Sequence, residues 1–141
     1  MTDPDPELLG AARTAALAAH APYSRFRVGA AVRAGGRIYT GCNIENASYG
    51  LTMCAERVAI FNAVAAGQSR IDALALACID ADPSGPENRL MPCGACRQVM
   101  AEFAVDDLPV HIDRIDDFRL AQLLPSPFGL SPPPEKKGDE R

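Results

Sequence analysis

Cys54, Cys93 and Cys96 restrict this chain more than any other residues. The first stands in Met53-Cys54-Ala55-Glu56-Arg57, the other two in Met91-Pro92-Cys93-Gly94-Ala95-Cys96-Arg97. Three thiolates can hold one zinc ion, so the fold must bring together two segments that lie far apart in sequence. Each segment reads as the start of a helix, where amide groups and the helix dipole favour a thiolate. Residues two apart on a helix point about 200° away from each other around its axis. Cys54 and Glu56 therefore address one pocket only if Cys54 lies at or before the first helical residue.

Four protein ligands make a structural zinc site, whereas three leave a position for water. Cys42 and Cys78 fall inside expected strands, where cysteine acts as a small apolar residue. His20 is expected to end a helix and His111 to lie in a strand, near neither motif. The fourth position is therefore expected to be open. A zinc ion there lowers the pKa of its water towards about 7. Glu56 is placed to take the water's proton, pass it to a ring nitrogen of a substrate, and relay a second proton to departing ammonia. Three thiolates leave the site with net negative charge. Arg57 and Arg97 each follow a motif, and both are expected to donate to the sulfurs and withdraw charge from the metal.

The chain has 141 residues, 48% of them hydrophobic. A single domain of that size buries roughly 68–70% of its unfolded surface. Its net charge of −4 argues against non-specific nucleic-acid binding, which needs lysine and arginine against phosphate. Five irregularly spaced cysteines are a poor disulfide framework and fit a reducing, cytoplasmic setting. The acidic N-terminus does not read as a secretory signal. No apolar run approaches the roughly 20 residues that span a bilayer, so no membrane partner is expected.

Asp5 or Asp3 is expected to cap a helix with Pro6 in its first turn, continuing through Leu8 to Ala21, ahead of Pro22. Its inner stripe is Leu9, Ala12, Ala16 and Ala19. Tyr23 to Phe26 is irregular. Val28 to Arg33 and Arg37 to Cys42 read as a hairpin turned at Gly35-Gly36. Asn43 to Gly50 is a polar loop suited to binding. Cys54 to Ala66 reads as a helix with Val58, Phe61 and Ala65 on one face. Ala73 to Ile79 is a continuous apolar run, a strand covered on both faces. A loop from Asp82 to Met91 leads to a helix over Gly94 to Phe103. Leu108 to Ile112 is a short strand and Leu120 to Leu124 a short helix. Residues 1–130 form one expected domain, and 131–141, with three consecutive prolines, an expected mobile tail. Alternating strands and helices predict a layered α/β domain with helices on both faces of one sheet.

Five segments together resemble the small, three-cysteine type of cytidine deaminase. They are Tyr23-Ser24-Arg25-Phe26-Arg27-Val28-Gly29-Ala30-Ala31, Gly41-Cys42-Asn43-Ile44-Glu45-Asn46, Cys54-Ala55-Glu56-Arg57, Pro92-Cys93-Gly94-Ala95-Cys96-Arg97-Gln98-Val99, and Leu123-Leu124-Pro125 with Phe128-Gly129. The zinc deaminase signature pairs His-or-Cys, one residue and Glu with Pro-Cys-x-x-Cys. The resemblance implies a three-layer α/β/α sandwich around a five-stranded mixed sheet. It implies a cytoplasmic homotetramer with one zinc per subunit, held by Cys54, Cys93 and Cys96. The implied reaction is hydrolysis of cytidine and deoxycytidine to uridine and deoxyuridine in pyrimidine salvage, with Glu56 catalytic. By position, Phe26 would pack by the pyrimidine, Asn43 and Glu45 would bind ribose hydroxyls, and the Ala55 backbone and Glu56 would read the base edge. Tyr49 and Phe128 match positions that complete the site across subunits. Arg27 stands where a proline is common, and Met53 where a polar or aliphatic residue is frequent; both departures are expected to affect local loop shape alone. A 3′-phosphate would set negative charge against Glu45, which favours free nucleosides over nucleic acid.

Three rival readings have their own tests. A related deaminase of another aminopyrimidine nucleoside, or of a nucleoside antibiotic, would use the same zinc and glutamate with a different pocket. A dithiol redox motif at Pro92-Cys93-Gly94-Ala95-Cys96 would leave Cys54-Ala55-Glu56 unexplained. A non-catalytic zinc module would need a fourth protein ligand, such as Cys42.

Overall fold

Asp5 accepts from the Leu8 amide at 3.1 Å and caps α1 (Pro6–Ala16), whose first position is the proline expected there. The structure, a computed structural model, describes residues 4–130. Asp3 and the expected tail at 131–141 lie outside the described residues. α1 stops at Ala16 and does not run on to Ala21. The reason is tertiary: the His20 amide donates to Asn43 O at 3.0 Å, and the Glu45 amide donates to His20 O at 2.8 Å. His20 therefore bridges Ile44 in parallel, outside the helix it was expected to end. Leu8, Ala12 and Ala16 are the fully buried residues of α1, while Leu9 and Ala19 are only partly covered.

β1 (Val28–Ala34) and β2 (Arg37–Cys42) form the expected hairpin. Gly35 and Gly36 turn it with φ of +59° and +75°, the pair of positive values that a two-residue hairpin turn requires. α2 is Ala55–Ala65, β3 Ala73–Cys78, α3 Gly94–Phe103, β4 Pro109–Ile112, β5 Asp116–Arg119 and α4 Leu120–Leu123. The residue patterns by themselves identify four of the five strands; β5 was not among them. Asp116-Asp117-Phe118-Arg119 has no apolar alternation, and it is an edge strand defined by pairing with β4.

The sheet order is β2-β1-β3-β4-β5. Among the described strands only β3 and β4 pair in parallel, so the sheet is mixed, as the resemblance implies. β3 shows how both faces are filled. Ala73, Ala75 and Ala77 pack with Leu8 and Ala12 of α1, while Leu74 and Leu76 join Ala59, Ile60, Cys96 and Met100 of α2 and α3. Small residues face the helix that comes close, and leucines fill the thicker layer.

Gly41 decides how α2 sits. A Cβ there would overlap the Ala59 amide nitrogen and lie 2.8 Å from Ala55 O, so helix backbone rests directly on strand backbone. This contact selects the buried face of α2: Ala55, Glu56, Ala59, Ile60 and Ala63. The face that carries Val58, Phe61 and Ala65 is not the buried one, and Phe61 remains 44% exposed. Apolar residues run right round this helix, so their spacing does not choose a side. No helix among the described residues is long and apolar enough to cross a membrane.

Candidate functional site

The N-termini of α2 and α3 converge on the α2 side of the sheet. Cys54 is the N-cap of α2, with extended φ −73° and ψ 151°. Cys93 is the N-cap of α3, with φ −69° and ψ 165°, and Cys96 lies in that helix's first turn. Cys54 Sγ is 3.8 Å from Cys93 Sγ, and Cys93 Sγ is 3.4 Å from Cys96 Sγ. All three sulfurs lie within 4.8 Å of one another. Tetrahedral zinc with bonds of about 2.3 Å sets sulfur atoms roughly 3.8 Å apart, so the donor set fits the metal. Cys96 is buried, Cys54 half-buried and Cys93 exposed, which leaves one side of the cluster accessible.

Glu56 is 4% exposed and lines the same cavity of about 170 Å³ as Cys54 and Cys93. An apolar cavity of about 150 Å³ holds one benzene-sized ring. Burial pushes the Glu56 carboxyl up to about 7, and the neighbouring Cys54 anion adds to the rise. The Cys54 thiol is held down at about 5, first by the Cys96 thiol donating to it and then by Arg57 and Cys93. Cys96, the donor in that contact, is held up in turn. Arg57 reaches Cys54 Sγ at 3.4 Å through its terminal amine. Arg97 does not do the same: it donates to Pro92 O at 2.8 Å and Leu123 O at 2.7 Å, bracing the chain around Cys93.

A buried, proton-ready carboxyl beside a three-sulfur metal cluster is the setting of a metal-assisted hydrolase. The family model described as the cytidine and deoxycytidylate deaminase zinc-binding region matches residues 3–112. The chain belongs to that family. A cytidine deaminase of Mycobacterium tuberculosis is 45% identical over 139 residues, covering 97% of this chain and 99% of the relative. One from Sporosarcina psychrophila is 46% identical over 127 residues, covering 86% and 89%. The crystal structure of cytidine deaminase from Mycobacterium tuberculosis matches with a TM-score of 0.76 at 43% identity, over 91% of this chain and 100% of that one. That from Burkholderia pseudomallei gives the same figures.

In this family member, Phe26, Asn43 and Ala55 line the cavity with Glu56. Asn43 is also a brace: its amide oxygen accepts from the Val28 amide at 2.9 Å, and its Nδ2 donates to Phe26 O at 2.8 Å. Glu45 is buried but is not part of the cavity lining. Its carboxylate accepts from the Ser24 hydroxyl and from the Tyr23 and Ser24 amides, contacts that hold it below its usual pKa. The loop carrying both residues is pinned beside the metal cluster, because Ile44 and Met53 exchange two backbone hydrogen bonds of 2.9 Å. Tyr49 and Phe128 stand 70% and 73% exposed, away from the cavity lining.

Eight of the cavity-lining residues were not foreseen, Val28, Leu76, Leu90 and Met91 among them. Met53 and Thr52 line it from the segment leading to Cys54, Cys78 from the end of β3, and Arg89 from the 3-10 turn Glu87–Leu90 before Cys93. Cys78 was expected to serve only as a small apolar residue; its thiol, half-buried on the cavity, is pushed up to about 12 by desolvation. Arg89 carries no motif or periodicity that sequence reading could detect. Arg27, the other departure from the family pattern, pairs with Asp80: guanidinium nitrogens donate at 2.8 and 2.9 Å and the Arg27 amide at 2.9 Å. Proline could not make that amide contact.

Proposed function

We propose that this protein is a zinc-dependent hydrolase that converts cytidine and deoxycytidine to uridine and deoxyuridine with release of ammonia, in pyrimidine salvage. The observation that carries this reading is the buried Glu56 carboxyl on the wall of the cavity that Cys54 and Cys93 also line. Cys54, Cys93 and Cys96 hold the zinc. When bound, zinc supplies a Lewis acid that makes water acidic enough to react near neutral pH. Glu56 does the proton work. Its carboxylate takes a proton from water and gives it to the ring nitrogen beside the amino-bearing carbon. It then delivers the second proton to the leaving amino group, so that nucleoside and water become the keto product and ammonia. A buried carboxyl beside the metal site can both accept and donate at these steps.

Phe26 forms a wall for the pyrimidine, and the Ala55 backbone with Glu56 reads the base edge. Asn43 and Glu45 bind the ribose hydroxyls with lone pairs left over from their internal contacts; a carboxylate has about four acceptor positions. Arg57 withdraws charge from the Cys54 sulfur. Exposed Tyr49 and Phe128 suit a homotetramer in which each aromatic helps close a neighbour's site. The enzyme works on free nucleosides in the cytoplasm, and residues 1–130 are its single catalytic domain.

The test is to follow ultraviolet loss and ammonia release from cytidine and deoxycytidine with zinc-loaded protein and with Glu56→Gln. Turnover by the wild type alone supports the reading. Stoichiometric zinc without ammonia from either nucleoside, or full activity in Glu56→Gln, ends it.

A further inference from the structure

Arg89 is the one basic side chain among the described residues that lines the cavity. Its guanidinium carbon sits 5.6 Å from the centroid of the Phe26 ring. Among the described residues that guanidinium has no hydrogen bond or ion pair. The contact joins a loop and a 3-10 turn, Glu87–Leu90, from different parts of the chain. One leads into β1, and the other runs through Leu90 and Met91 to Cys93.

We propose that Arg89 is a positioning residue for substrate binding: stacked on Phe26, it fixes that ring as the wall against which the pyrimidine packs. The proposal rests on the nucleoside reading of the cavity given above. The main chain of Phe26 is already held. Its amide donates to Ser24 Oγ at 3.0 Å, and its carbonyl accepts from Asn43 Nδ2 at 2.8 Å. The ring itself is only part-buried, and Arg89 is the cation that covers it. A ring free to rotate must be ordered when a substrate stacks on it, and that ordering weakens binding. A cation over the face removes this cost before the substrate arrives. The effect therefore belongs to binding and not to the proton transfers, which Glu56 performs deeper in the cavity.

Arginine suits the role through its planar, weakly hydrated guanidinium, which stacks on an aromatic face where an ammonium cannot. Lysine at the same place keeps the charge and loses the stacking. Methionine keeps bulk and loses both.

The experiment is steady-state deamination of cytidine by the zinc-loaded full chain, comparing wild type, Arg89→Met, Arg89→Lys, Phe26→Leu and the Arg89→Met/Phe26→Leu double variant. The expected result is a KM about 3- to 10-fold higher for Arg89→Met with kcat within about twofold, and Arg89→Lys in between. In the Phe26→Leu background, Arg89→Met adds no further rise, because the ring it acts through is gone. An unchanged KM in Arg89→Met overturns the proposal. So does the same fold-rise in both backgrounds, or a fall in kcat accompanied by a lower melting temperature, the mark of a merely structural role. A wild type that releases no ammonia overturns the functional reading and this proposal with it; an active wild type with an indifferent Arg89 overturns this proposal alone.

Discussion

Cys54 and Glu56 are two residues apart in sequence and line one cavity, because Cys54 caps α2 while Glu56 lies within its first turn. Inside a helix the two side chains would point to opposite sides. The extended backbone at Cys54 turns its sulfur towards Cys93, and the first turn carries the Glu56 carboxyl in beside it. Two side chains of different chemistry thus reach one point from a single rigid helix end. Their placement is as accurate as the packing of α2 on the sheet.

Glu56→Gln keeps the shape of the side chain and removes its ability to carry protons. Turnover should fall about 10²- to 10⁴-fold, the usual contribution of a positioned general acid–base, while substrate binding persists. The same substitution has a stability signature in the metal-free protein. The folded carboxyl titrates near 7 against an ordinary value of 4.5. Below 4.5 both states hold the proton; between 4.5 and about 7 the unfolded chain releases it and the folded chain does not. The Glu56 contribution to wild-type stability should therefore fall across that window as pH rises, by up to about 3 kcal/mol. Cys54, held down at about 5 in the folded state, contributes with the opposite sign in both proteins, so the difference between the two proteins isolates Glu56. Glu56→Gln should flatten the fall. Denaturant melts at pH 4.5 and pH 8 measure both, and an equal pH response in the two proteins would refute the assignment.

Cys54→Ser, Cys93→Ser and Cys96→Ser should each lose tightly bound zinc and activity together, as should treatment of the wild type with a chelator. Cys42→Ser should keep stoichiometric zinc, because Cys42 is outside the three-sulfur cluster. Metal analysis after gel filtration decides. Zinc loss in Cys42→Ser alone, with retention in the other three, would contradict the ligand set.

How much of this was legible in the sequence depends on how local each cause is. The β1–β2 hairpin was readable because Gly35-Gly36 specifies its own turn. The bounds of α3 were readable because Pro92, Cys93 and Gly94 punctuate its start. The three metal-binding cysteines were readable because ligand chemistry fixes their spacing. The end of α1 was not, since it is set by hydrogen bonds from His20 to a loop that comes much later. The inner face of α2 was not, since a glycine on β2 selects it. β5 exists through its pairing with β4, and Arg89 meets Phe26 only after two separate segments have folded. Causes carried by neighbours in sequence could be read; causes carried by neighbours in space could not.

Arg57→Gln removes the donor to Cys54 Sγ at 3.4 Å. Groups that hydrogen-bond metal ligands are worth about 10- to 100-fold in metal affinity or activity, so turnover should fall by about that factor with zinc still bound. Arg97→Gln should behave differently. Its two bonds to the Pro92 and Leu123 carbonyls are structural, so the melting temperature should drop with less change in turnover per bound zinc. Unchanged turnover in Arg57→Gln would remove that residue from the metal's surroundings.

Gly41→Ala tests whether the site depends on how closely α2 lies on β2. The added Cβ would overlap the Ala59 amide and approach Ala55 O at 2.8 Å, and both neighbours are backbone that cannot swing aside. The helix must lift, and it carries Cys54 and Glu56 at its start. Overpacking of this kind costs about 1–3 kcal/mol, and a displacement of about 1 Å at a reacting group can cost about 10²-fold in rate. Gly36→Ala is the control. It has a positive φ of +75° but open space around its Cβ, so it carries local strain without moving α2. Both variants should melt lower than the wild type, yet only Gly41→Ala should lose turnover and bind zinc more weakly. Equal activity in the two would mean that the position of α2 tolerates the shift, and that the sulfurs and carboxylate are held by contacts other than Gly41.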